Sequence, residues 1–143
     1  MNNPVIRRWP RRKILASLLL VAGGLPALGQ QADTTITVAL DRAGEATRFE
    51  GSIRDFEAVA YVVALREGQS LRIELATNNA TNCFDIHAPG VEKPVFVGAN
   101  SGNAYTLVAP KAGNYVVRVH LLRFAARDGQ FAQYTLELHP TER

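Results

Sequence analysis

Cys83-Phe84-Asp85-Ile86-His87 is the stretch whose residue types come nearest to a reaction centre. Side chains alternate along an extended strand, so the thiol, carboxylate and imidazole would share one face. Such a set suggests nucleophilic or metal-assisted chemistry, but the spacing argues against both. At roughly 3.3 Å per residue Cys83 and His87 stand about 13 Å apart, too far for direct proton transfer or shared ligation. His87, His120 and His139 each stand alone, with no HxxxH, HxH or CxxC pattern around them. Asp and Glu are scattered singly, so no carboxylate dyad can be argued. The expectation is therefore a protein that is not an enzyme and has no catalytic residue, metal site or cofactor, with residues 83–87 as a half-buried strand. Asn79-Ala80-Thr81 has the form of a glycosylation sequon. A single cysteine excludes an intramolecular disulfide, so stability must come from packing.

The elements that would position these residues read as strands. In Gln69–Thr77, Leu71, Ile73 and Leu75 alternate with Arg72 and Glu74. In Asn114–Leu122, Tyr115, Val117, Val119 and Leu121 share one face, with Val116, Arg118 and His120 opposite. Tyr134, Leu136 and Leu138 repeat the pattern in Gln133–His139. Period-two alternation marks half-buried strands. Thr34–Leu40, Ala46–Ile53, Ala58–Leu65, Cys83–Ala88, Val95–Ala99 and Ala104–Ala109 are further candidates, separated by turn-forming residues such as Pro89-Gly90 and Ser101-Gly102-Asn103. One helical turn is expected at Arg123–Asp128, ended by Gly129. Eight or nine short strands without crossover helices predict an all-β fold, an antiparallel β-sandwich or jelly roll of about eight strands. Arg118 reads as an outward strand residue without a role, and residues 30–33 as a loose tail.

The amino terminus directs the chain elsewhere. Arg7, Arg8, Arg11, Arg12 and Lys13 form a basic head, and an uncharged apolar run from Ile14 to Leu28 follows. Ala27 and Gly29 place small residues where a signal peptidase reads, so residues 1–29 are expected to be a cleaved signal peptide and 30–143 one exported domain in the periplasm. The run of about 15 residues is short of the roughly 20 that span a bilayer, so no membrane association is expected after cleavage. The whole chain has 16 basic and 13 acidic residues, for +3; five basic residues lie in the head, leaving 11 against 13, a net of about −2. The basic character belongs to the signal, which removes nucleic acid as a partner. The only tryptophan, Trp9, also lies there, leaving the exported part without the indole expected of a glycan- or peptidoglycan-binding module, the alternative reading.

Several motifs carry a family resemblance. Ala60-Tyr61-Val62-Val63 leads to Glu67-Gly68-Gln69-Ser70-Leu71, then to Cys83-Phe84-Asp85-Ile86 and Ala88-Pro89-Gly90. Val95-Phe96-Val97-Gly98 and Ser101-Gly102-Asn103-Ala104-Tyr105 follow, then Gly113-Asn114-Tyr115-Val116-Val117-Arg118-Val119 and Arg123-Phe124-Ala125-Ala126-Arg127 on the last hairpin, before Tyr134-Thr135-Leu136. In this order the chain from about Phe56 to His139 resembles the periplasmic inhibitors of goose-type (g-type) lysozyme. Its earlier motifs are also similar to the prepeptidase C-terminal class of β-sandwich.

The resemblance implies a g-type lysozyme as protein partner, whose peptidoglycan-binding groove the inhibitor occludes with loops. Ser101, Gly102 and Asn103 would form the small loop that enters the groove, with Tyr105 bracing it or touching the enzyme. Arg123 and Arg127 would bond to carboxylates in the cleft, where a charged donor and acceptor make the stronger hydrogen bonds. A homodimer, through Cys83 or otherwise, stays open.

Overall fold

The computed structural model describes residues 33–40 and 44–141, so the expected signal peptide lies outside the described residues. Among the described residues nine strands form: β1 (Thr34–Val38), β2 (Thr47–Arg54), β3 (Ala58–Leu65), β4 (Ser70–Thr77), β5 (Asn82–His87), β6 (Phe96–Val97), β7 (Ala104–Val108), β8 (Gly113–Leu121) and β9 (Phe131–Thr141). Two short helices interrupt them, α1 (Gly98–Ser101) and α2 (Arg123–Arg127). One sheet runs β1-β3-β8-β5-β6 and the other β2-β9-β4-β7, so the expected all-β sandwich is what forms.

The alternating pattern explains the layers. Leu71, Ile73 and Leu75 of β4, Tyr115, Val117, Val119 and Leu121 of β8, and Tyr134, Leu136 and Leu138 of β9 are all buried. They meet Tyr61, Val63, Phe84 and Ile86 between the sheets. Each aliphatic or aromatic side chain removed from water there contributes about 1.5–3 kcal/mol. Tyr61 and Tyr134, one from each sheet, share a hydroxyl–hydroxyl hydrogen bond of 2.7 Å across the core. That bond satisfies two polar groups that burial would otherwise penalise.

Three details differ from the sequence expectation. The β1–β3 pair is parallel, because the chain leaves β1 for β2 in the opposite sheet and returns beside β1. The remaining pairs are antiparallel. Asp33, expected in a loose tail, accepts from Arg118 Nε at 2.7 Å and Nη2 at 3.2 Å. Arg118 does point outward, but it holds the start of β1 onto the β3–β8 surface, and Asp33 raises its pKa. Finally, the strand expected at Val95–Ala99 shrinks to two residues, since the backbone coils into α1 at Gly98.

Candidate functional site

Four connections meet at one end of the sandwich, and each passes from one sheet to the other: β2 to β3, β4 to β5, β6 to β7, and β8 to β9. Backbone bonds tie the first, second and fourth of these together. Leu122 N–H donates to Thr81 O at 2.8 Å, Asp55 N–H to Gln130 O at 3.2 Å, and Asn78 N–H to Gln133 O at 3.1 Å. Asn79 works within this seam. Its Nδ2 donates to Gln130 Oε1 and Phe131 O, both at 3.1 Å. Its Oδ1 accepts from Thr81 N–H and Oγ1, at 2.9 and 2.7 Å. The sequon-like Asn79-Ala80-Thr81 is thus an internal cross-tie.

The first candidate segment is α1 with the residues that follow it. Ser101 and Gly102 are exposed and Asn103 is half-buried. They do not form a hairpin turn, because β6 and β7 belong to different sheets. Gly102 N–H closes on Gly98 O at 2.9 Å, and Asn103 O accepts from Leu75 N–H at 2.8 Å, fixing both ends of the loop. Gly102 has φ 93°, a conformation that a side chain would strain. Tyr105 does not face outward: its ring stacks on Phe96 at 4.4 Å between centroids, beneath the loop.

What seats α1 is the segment that first looked reactive. Gly98 lies so close to β5 that an added Cβ would come within 2.4 Å of Phe84 O. Asp85 Oδ1 accepts from Gly98 N–H at 3.3 Å, while Oδ2 lies 2.9 Å from His120 Nε2. His120 Nδ1 is 3.0 Å from Leu121 O. Cys83 Sγ is 3.8 Å from the same Nε2, an approach across β5 and β8 that the 83–87 spacing does not reveal. Burial, helped by Asp85, pushes the Cys83 thiol up to about 11, so at neutral pH it is protonated and a poor nucleophile. Its side chain is buried, which closes the route to a disulfide-linked dimer while the fold is intact.

The second candidate segment is α2. It joins β8 to β9 across the sheets, so Arg123 and Arg127 do not sit on a hairpin. Ala125 and Ala126 are buried and anchor the turn in the core. Gln130 N–H closes on Ala125 O at 3.0 Å, which ends it. Arg123 and Arg127, four residues apart, are exposed on this turn, and among the described residues no ion pair engages either guanidinium. Beside them the same end exposes Phe124 at 57%, Phe56 at 51% and Phe131 at 41%. Arg54 stacks its guanidinium 5.3 Å from the centre of the Phe131 ring. Exposed aromatics next to unpaired arginines are the composition of protein-binding hot spots. Sequence reasoning set Asp85 and His120 aside without seeing that they meet, and gave these phenylalanines no role. Phe56 lies in a turn and Phe131 on the outward side of its strand, and large apolar residues so placed were the available signal.

Comparison with known proteins comes from solved structures. No family model matches the chain, and no curated protein does. Aeromonas hydrophila PliG, described as a periplasmic lysozyme inhibitor of g-type lysozyme, superposes with TM-score 0.67 at 20% identity, over 77% of this chain and 100% of that one. Salmonella Typhimurium PliG, described in the same words, gives 0.58 at 21% identity, over 76% and 98%. A mutant of the corresponding Escherichia coli inhibitor gives 0.59 at 18%, over 77% and 100%. At such identities the likeness establishes one thing: this chain has the fold of the PliG inhibitors, along their whole length.

Proposed function

We propose that the exported domain inhibits g-type lysozyme in the periplasm, presenting the end of the sandwich that carries α1 and α2 to the enzyme's substrate groove. The observation that carries this reading is convergence. Ser101-Gly102-Asn103 and the unpaired Arg123 and Arg127 belong to connections at one end of a fold shared with three solved inhibitors. The short polar loop supplies shape, and the arginines supply charge-assisted bonds to acidic groups in the cleft. Tyr105 acts from below, through Phe96. No cofactor enters such a mechanism, since occlusion breaks no bond.

The test is a titration of residues 30–143 into g-type and chicken-type lysozyme digesting bacterial cell walls. Stoichiometric loss of g-type activity alone is the expected result. Activity unchanged in both enzymes would refute the proposal. Mass determination of the exported protein's amino terminus checks cleavage after Gly29.

The exposed Phe56, Phe124 and Phe131 favour one competing reading, a stand-alone peptidoglycan-binding module in which these rings stack on sugars. Co-sedimentation with purified cell-wall sacculi, without inhibition of either lysozyme, would select it.

A further inference from the structure

On the outer face of the β2-β9-β4-β7 sheet, midway along β9 and beside the start of β7, three side chains converge. Glu74 of β4 pairs in register with Glu137 of β9, and His139 lies two residues further along β9 on the same face. His139 Nε2 stands 3.5 Å from Glu74 Oε2 and 3.3 Å from Glu137 Oε2. The three candidate donor atoms all lie within 4.8 Å of one another. The other oxygen of each carboxylate is engaged elsewhere. Arg72 holds Glu74 Oε1 through Nε at 2.9 Å and Nη2 at 2.6 Å, and Arg48 Nη1 reaches Glu137 Oε1 at 3.5 Å. Both Oε2 atoms are thereby turned toward the imidazole.

A second observation concerns the imidazole itself. His139 Nε2 is shielded from solvent and makes no hydrogen bond, although two carboxylate oxygens face it. With its lone pair turned toward the two oxygens, that nitrogen completes a three-donor set of the kind that holds a metal ion. Zinc bonded at about 2.0–2.1 Å in a tetrahedron keeps its donor atoms about 3.3 Å apart. The two nitrogen–oxygen separations, 3.5 and 3.3 Å, are close to that edge length, and the two carboxylate oxygens lie within 4.8 Å of each other.

We infer that Glu74, Glu137 and His139 form a binding site for a divalent transition-metal ion of the zinc type, with the fourth position open to water. The nitrogen donor selects against magnesium and calcium, which prefer all-oxygen shells. Arg48 and Arg72 orient the two carboxylates, as partners behind a metal's ligands usually do. An ion there clamps β4 to β9, and because the unfolded chain lacks the assembled site, binding adds to stability. This inference does not rest on the lysozyme reading, because none of these three side chains belongs to that reading's contact set.

The test starts from the purified protein stripped with a chelator, then titrated with zinc by calorimetry and with cobalt(II) by visible absorption. The expected result is one zinc per chain, a tetrahedral cobalt band, and a thermal midpoint raised by about 5 °C or more at saturation. His139→Asn and Glu137→Gln should each weaken binding by about 10-fold or more and abolish the midpoint shift. Glu137→Gln decides the matter if circular dichroism shows His139→Asn misfolded. Absence of one-to-one zinc binding, or binding undiminished in both variants, overturns the inference.

Discussion

The two candidate segments, α1 with its loop and α2, are positioned by opposite means. Polar and backbone contacts seat α1: Gly98 abuts the Phe84 backbone, Asp85 holds the Gly98 N–H, and Asn103 is tied to Leu75. Apolar packing seats α2, through Ala125 and Ala126 pressed into the core. The loop after α1 therefore offers shape with little side-chain reach, whereas α2 offers long cationic and aromatic side chains on a rigid stub. Changes near α1 should act through the fold, and changes on the outer side of α2 through binding alone.

Gly98→Ala should give the largest effect, because its methyl group would collide with the Phe84 carbonyl. A stability loss of about 3 kcal/mol is expected, read as a lowered midpoint in urea. Raising the pH tests the same region. The folded-state thiol of Cys83 is pushed up to about 11 from an ordinary 9.0, so the unfolded chain loses its proton first. Stability should be intact below pH 9 and fall as pH rises through 11, by about 2 kcal/mol from this residue. Cys83→Ala should flatten that part of the decline relative to the parent chain. On α2, Arg123→Ala and Arg127→Ala should each weaken inhibition of g-type lysozyme by about 2 kcal/mol while leaving the urea midpoint unchanged. Unfolding of either variant would make the arginines structural and erase the contrast between the segments. The smallest effect belongs to Asp85→Asn, about 1 kcal/mol of stability. Inhibition should weaken along with it, because the α1 loop loses its seat.

Much of the sandwich was legible because burial imposes a period of two. Leu71-Ile73-Leu75 and Tyr115-Val117-Val119-Leu121 announce which face turns inward without any knowledge of their neighbours. Strand partnership is another matter, since it depends on contacts far apart in sequence. Nothing local in Thr34–Val38 says that it lies parallel to Ala58–Leu65, and nothing near Val95 says that α1 replaces a strand there. The same limit hid the cross-strand neighbours. Asp85 and His120 are 35 residues apart, and Glu74 meets His139 only once β4 lies beside β9. The helical turn at Arg123–Arg127 was readable because a short alanine-containing segment closed by glycine carries its own signal.

Every connection at the α1–α2 end crosses between the sheets; Asn79, Thr81 and Gln130 lace three of them together, and Asp85 and Leu75 fasten the fourth, which carries α1. An encounter surface built this way has little conformational freedom left to surrender. The ordering cost that usually drains affinity from loop-borne contacts is met during folding rather than at the moment of association. Free and bound forms should therefore superpose closely, and variants on this surface should change how slowly a complex comes apart more than how fast it assembles.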